Sequence, residues 1–446
     1  MYFDESIKNI TAETGIEILE LFGYEYSNDY TVTADAKVSF VARALVQGAA
    51  DVAVTADRMI NGRGFDLHPK RPLSFGPEVD ARLHSLIPGE VASAEMQALM
   101  RYPQESPGLI VVVGSGKTAM DCMLKLAALG ADATRRVRCI AGRGTWFAIR
   151  EVFSSPSGGS FMIEMMSRFD GTNGKEVLAA MGSRGFLHSP VQDPSSFQVG
   201  VCSRWEVELV QEQVLHPQSE RVAKAHLVDV TAAADGPGTV LHMRPVSSQT
   251  DVSASTEAAS DAAELVTMEL PPGSFLINCT DQIGEHVNRF DPIVSEDGLV
   301  LSPQAALGFS GPSAHALTHA WYLGVLGDTW RALARMPATK DDKHNFGIAT
   351  FFQLVFAVQT VCSLLPPELV ANSPGLLVGG NGASSSDGNE EEDEGAKTLR
   401  EMMQALARKM ADLWPGRYDD EEQYSLQARS VLMGKIGTQS KTTARL

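Results

Sequence analysis

Leu109-Ile-Val-Val-Val-Gly-Ser-Gly-Lys-Thr-Ala-Met-Asp-Cys-Met-Leu-Lys-Leu126 passes from an apolar run through a glycine-rich turn into a helical pattern. The β-branched run from Leu109 to Val113 reads as a parallel strand buried on both faces, entered through the turn residues Ser106-Pro107-Gly108. Gly114-Ser115-Gly116-Lys117-Thr118-Ala119 then has the form GxGxxA. The first glycine permits a tight turn, and the second lets a pyrophosphate approach the backbone. Ala119 is small enough for helix and strand to pack closely. The helix predicted next has Met120, Met123, Leu124, Ala127 and Ala128 as its apolar positions. Its first N–H groups and the positive end of its dipole suit a phosphate. The expected fold class is α/β with a Rossmann-like dinucleotide-binding unit.

Two rival readings of the turn fail on individual residues. Gly116-Lys117-Thr118 has the ending of a GxxxxGK[ST] phosphate loop, but that loop needs glycine where Val111 stands. A methyltransferase-like site wants an acidic residue after its second strand to hold ribose hydroxyls. The second strand here is Val137-Arg-Cys-Ile-Ala141, and Gly142-Arg143-Gly144 follows it without an acid. An arginine at this point suits the 2′-phosphate of NADP and favours NADP(H) over NAD; a surface arginine in a loop is the alternative.

The 446 residues exceed one ordinary domain, so two compact units plus unstructured tracts are expected. A hydrophobic content of 44% is ample for their cores, and a net charge of −18 argues against nucleic acid or an anionic membrane as partner. A small-molecule substrate is the expected partner. No apolar run is long enough to span a bilayer, and Met-Tyr-Phe-Asp-Glu-Ser lacks the regions of a signal peptide. Cys122, Cys139, Cys202, Cys279 and Cys362 are scattered without a C-x-x-C pair. That pattern predicts buried free thiols in a reducing, cytoplasmic setting and excludes a redox dithiol of that motif.

Along the chain, Ile16 to Phe22 is predicted as a short helix, Asp51 to Thr55 as a strand and Gly62-Arg63-Gly64 as a loop. Glu206 to Val210 alternates as a strand does. The Ala-, Ser-, Thr- and Asp-rich stretch 228–265 is expected to be a surface excursion holding a strand-like piece at Val240 to Met243. Ser274 to Thr280 reads as a second buried strand, and helices are predicted from Ala314 to Leu326 and over 346–365. The acidic low-complexity tract 374–396 is predicted as a disordered linker. An amphipathic helix over 396–413, with Leu399, Leu406 and Leu413 on its apolar face, is read as packing on its own domain rather than on a partner.

Val113-Gly-Ser-Gly-Lys-Thr-Ala-Met-Asp121, followed by Arg143-x-x-Trp146-x-x-x-Arg150, resembles the NAD(P)-binding domain of two-dinucleotide-fold flavoproteins. That class holds the flavin-containing monooxygenases and pyridine-nucleotide oxidoreductases. Phe275 to Thr280 is similar to the strand by which the family's chain returns to its FAD domain. The resemblance implies an NAD(P) domain over 106–272, with 228–265 as an insertion, set within an FAD-type unit made of 1–105 and 273–370. The linker 374–396 and a C-terminal helix and tail over 397–446 follow. It implies an NADPH-dependent oxidoreductase, monooxygenase-like, that passes hydride to FAD. NADPH would bind at Gly114 to Ala119, with Arg143 and Arg150 on its 2′-phosphate and with Thr280 and Asp281 at the end of the return strand. The flavin would carry the chemistry, so no catalytic side chain is expected.

Departures from the family pattern are as informative. The family's first GxGxxG, which holds the ADP part of FAD, has no counterpart in residues 1–105, and the FxGxxxH sequence of the monooxygenases is missing. Either that part of the FAD unit is lost or FAD is not bound, and a non-catalytic NAD(P)-binding protein is the alternative function. His315 and His319, with His286 or Glu285 as a third ligand, have metal-site spacing but are read as packing residues. Two readings fit each of several other residues. Asp281 and Gln282 face a flavin or nicotinamide, or form a solvated turn; Lys117 neutralises phosphate, or is solvated; Trp146 and Phe147 lie against an adenine, or in the core.

Overall fold

The structure, a computed structural model, describes residues 17–26, 29–62, 71–102, 108–153, 157–246, 264–280 and 294–302, with shorter pieces at 8, 11–15, 317–318, 320–324, 345, 347–352, 405–406, 409 and 412–413. Met1–Gly62 with Pro292–Pro303 form one compact unit, and Arg63–Asp291 with Gln304–Leu446 form the other. In the first unit β1 (Tyr24–Tyr26), β2 (Thr31–Val32), β3 (Val38–Ala44) and β4 (Val52–Ala56) build an antiparallel sheet in which β3 pairs with the other three. β5 (Met59–Ile60) pairs in parallel with Val300–Leu301. The strand expected at Asp51 to Thr55 is β4. The helix expected at Ile16 to Phe22 is absent from its described residues, 17–22. A helical turn at 11–14 stops at Gly15, whose φ of 68° lies in the left-handed region and whose N–H returns to the Thr11 carbonyl at 2.9 Å.

The second unit contributes, in chain order, β6 (Leu83–Leu86), β7 (Ile110–Val113), β8 (Val137–Ile140), β9 (Thr145–Ile149), β10 (Leu187–His188) and β11 (Ser196–Cys202). After these come β12 (Val222–Ala223), β13 (Ala225–Ala232), β14 (Thr239–Pro245), β15 (Val266–Leu270) and β16 (Ser274–Asn278). Five of these strands make an all-parallel sheet in the order β12-β8-β7-β16-β6. The dinucleotide strand β7 is central, between β8 and β16. The sheet therefore draws β6 and β16 from outside 106–272 as well as β7, β8 and β12 from within it.

β7 is apolar at every position because both faces are covered. Ile110 and Val112 point into a cluster with Ala119, Met123 and Leu126 of helix α1 (Lys117–Ala128). Val111 and Val113 point the other way, into a cluster with Val230, Leu241, Met243 and Leu270. The four β7 side chains are at most 4% exposed, and each such buried aliphatic contributes ~1.5–3 kcal/mol. On α1 the buried stripe is Ala119, Met120, Cys122, Met123 and Leu126. Ala128, expected on the apolar face, is exposed, because the face toward the sheet follows the 119–122–126 row.

The expected excursion at 228–265 is, over its described residues, part of a sheet layer. β13, β14 and β15 form an antiparallel meander that supplies the second covering face. Glu206 to Val210 is likewise not a strand. It lies in helix α2 (Arg204–Leu209), which runs into a π turn, Val210–Val214, where the Leu215 N–H reaches the Val210 carbonyl at 2.9 Å. Ser203 and Glu206 form a capping box at its start, with the Ser203 N–H on Glu206 Oε2 at 2.6 Å.

β9 is the middle of a third sheet, antiparallel to β10 and parallel to β11. Phe147 is fully buried, and the Trp146 ring packs on Gly182, so both aromatics serve packing. Leu317, Ala320 and Trp321 lie in helix, which ends at Tyr322, four residues short of Leu326, before a turn in which Gly324 has φ 71°. Residues 347–352 and the described residues of 405–413 are helical as expected. Leu406 is 4% exposed and Lys409 Nζ donates to the Met166 carbonyl at 3.0 Å, so that last helix packs on its own unit. Gly311 to His315, His319, residues 374–396 and the tail beyond Leu413 lie outside the described residues.

Candidate dinucleotide site

The site begins where β7 ends. Gly114 has φ 117°, and its N–H still pairs with the Ile140 carbonyl of β8 at 2.9 Å. A Cβ at Gly114 would stand 2.6 Å from the Cys279 carbonyl oxygen, so the turn closes against the end of β16 with no room for a side chain. Gly116 is the N-cap of α1, without a side-chain cap and without an acidic residue in the first turn. A Cβ there would meet nothing within 4 Å. The helix start is thus open, uncapped and free of negative charge in its first turn, which is what an approaching pyrophosphate requires. Ala119 is fully buried against the sheet, which is the packing reason for a small residue at this position.

Each remaining residue of the fingerprint has a defined place. Ser115 Oγ donates to the Ala141 carbonyl at 2.8 Å and lies 3.1 Å from Thr145 Oγ1. Its one proton goes to Ala141, so Thr145 is the donor in the second bond. Ser115 therefore ties the turn to the ends of β8 and the start of β9. Lys117 Nζ pairs with Asp121 one helical turn on. Burial works against its charge, but that hydrogen bond and the nearby Asp121 and Glu206 carboxylates hold the ammonium above the ordinary lysine range. Thr118 is exposed.

Arg143 sits in the turn after β8, half-buried, between Gly142 (φ 55°) and Gly144 (φ 73°). Its carbonyl accepts from the Ser195 N–H at 3.1 Å, which pins the turn to the start of β11. His226, the second residue of β13, approaches the same turn: its Cε1 is 3.2 Å from where a Cβ on Gly142 would be. Arg150 follows β9 and donates to Ser203 Oγ at 3.2 Å, with Glu206 Oε2 at 3.8 Å. Thr280 is exposed, its hydroxyl donating to Asn278 Oδ1 at 2.7 Å, while Asn278 Nδ2 donates to the Arg71 carbonyl at 3.0 Å. Asp281 and Gln282 lie outside the described residues.

The structure thus brings Gly114 to Ala119 and Arg143 to one end of the parallel sheet, where such sheets place ligands. Thr145 and His226 join them from elements the sequence reading did not connect to the turn. Neither carries a local signal, because each arrives by tertiary pairing. Among the described residues no group of three His, Cys, Asp or Glu side chains is placed to hold a metal ion, and no helix is long and apolar enough to cross a membrane.

No protein-family model matches the chain, and no curated protein matches it. A solved structure of the ornithine N-hydroxylase of Kutzneria sp. 744, in its FADred–NADP+–L-orn form, is similar at 13% identity and a TM-score of 0.32. The likeness covers 68% of this chain and 67% of that one, and it is too loose to bear on function.

Proposed function

We propose that this chain binds NADPH at Gly114 to Ala119 and serves as a flavoprotein-type, monooxygenase-like oxidoreductase, with the dinucleotide unit set in an FAD-type chain. The observation that carries the reading is the start of α1. Gly116 offers an uncapped helix N-terminus with open space at its Cα, at the end of the central strand of a parallel sheet. When bound, NADPH supplies a hydride. The chain's part is to hold the pyrophosphate on the first-turn N–H groups and to read the 2′-phosphate with Arg143. Arg150 is further from that role, being engaged with Ser203 and Glu206.

A second reading, a non-catalytic NAD(P)-binding protein, is favoured by one observation. Strands β1 to β4 form an antiparallel sheet, and among the described residues of 1–62 no strand leads through GxGxxG into a helix. Those described residues do not supply an ADP site for FAD. One experiment separates the readings: the visible spectrum of the purified protein, recorded beside an NADPH titration. Flavin absorption bands support the oxidoreductase and sink the non-catalytic reading. A colourless protein that binds NADPH does the reverse, and a protein that binds no NADPH removes both.

A further inference from the structure

Cys122 and Cys279 are 157 residues apart in the chain, yet their Sγ atoms lie 3.7 Å apart. Cys122 is in the second turn of α1 and Cys279 follows β16 directly; both are buried, at 2% and 5% exposure. The other described thiols lie at different places in the fold. Cys139 Sγ donates to the Gly114 carbonyl at 3.5 Å, and Cys202 ends β11.

We propose that Cys122 and Cys279 are a modification site: they form a reversible disulfide that straps α1 to the end of β16 beneath the Gly114 turn. A disulfide holds its sulfurs about 2 Å apart, so the two must close by less than ~2 Å, which is a matter of side-chain rotation and a small backbone shift. The oxidant is a small peroxide. The sulfur of Cys279, which is the more exposed residue of the two, attacks one peroxide oxygen, and the O–O bond breaks to release water and leave a sulfenic acid. The Cys122 sulfur then attacks that sulfur, the S–O bond breaks, and a second water departs with the remaining thiol proton. Two thiols and one hydrogen peroxide give one disulfide and two waters. The Cys279 carbonyl oxygen lies 2.6 Å from where a Cβ on Gly114 would stand, so moving Cys279 toward Cys122 alters the packing against the turn. On the dinucleotide reading above, on which this second effect rests, the bridged form binds NADPH about tenfold more weakly.

The test treats the full chain with a small excess of hydrogen peroxide, blocks remaining thiols under denaturing, non-reducing conditions, and maps peptides by mass spectrometry. The expected result is a peptide pair joined through Cys122 and Cys279 that dithiothreitol separates. Alkylated peptides alone, irreversible sulfinic acid, or bridges to other cysteines would overturn the proposal. Cys122→Ser and Cys279→Ser should each abolish the joined pair; should either fail to fold, the wild-type map still decides. NADPH titration of the reduced and oxidised forms completes the test. A bridge with unchanged affinity refutes its effect on the turn. Failure of both forms to bind NADPH removes the dinucleotide reading and leaves the bridge standing.

Discussion

The carbonyl oxygen of Cys279 occupies the space that a side chain on Gly114 would need, 2.6 Å from the position of its Cβ. Two glycines of one motif therefore differ in kind. Gly114→Ala sets a methyl group against backbone at a φ of 117° and should lower stability by about 3 kcal/mol or more. Gly116→Ala meets no atom within 4 Å and should leave the unfolding midpoint nearly unchanged, while its methyl group blocks the pyrophosphate and weakens NADPH binding. Urea unfolding and NADPH titration of both variants check this. Equal loss of stability in the two would show that the turn is packed differently.

Arg143 is flanked by two glycines and anchored through its own carbonyl, so its backbone position survives loss of the side chain. Arg143→Ala should reduce NADPH affinity roughly ten- to a hundred-fold through loss of a charge-assisted contact, with NADH binding unaffected. Parallel titrations with the two cofactors decide. An equal loss for both would give Arg143 another role.

The capping box at the start of α2 makes a separate prediction about stability. Ser203→Ala should cost ~1 kcal/mol, since an N-cap side chain is lost. It also removes the acceptor of Arg150. Chemical denaturation reads the loss, and Ser203→Asp should restore most of it.

His188 provides a pH dependence whose sign is fixed. Burial first, and then the nearby Arg204 charge, hold its imidazolium below the ordinary value of 6.5. The unfolded chain therefore takes up a proton before the folded one does, and stability is lost as pH falls from about 6.5 toward the lowered folded value. His188→Gln should flatten that part of the stability profile between pH ~7 and ~5, measured by urea unfolding at each pH.

The legible parts of this fold are those where one physical demand decides the residue. β7 had to be apolar at four consecutive positions because helix covers one face and the meander the other, and the first and second glycines and Ala119 each answer a single steric need. Glu206 to Val210 misled because five alternating residues fit a strand and a helix alike. The deciding signal was Ser203-x-x-Glu206, a capping box just upstream. The meander was obscured because only one of its faces is buried: Val230, Leu241 and Met243 point inward, while Asp229, Thr231 and their neighbours dilute the pattern. Thr145 and His226 reach the site from strands whose placement is settled by pairing partners far away in the chain.

The strand order carries a consequence for how the protein is made. β6 is translated before β7, but the two are never neighbours; β16, emerging 188 residues after β6 ends (Leu86 to Ser274), lies between them. During synthesis, Leu83–Leu86 must wait on the nascent chain with no sheet partner of its own while β7 and β8 come together. Only the last strand of the five to leave the ribosome can seat it. Ribosome stalling before Ser274 should therefore leave that segment open to protease, and release past Asn278 should close it in one step.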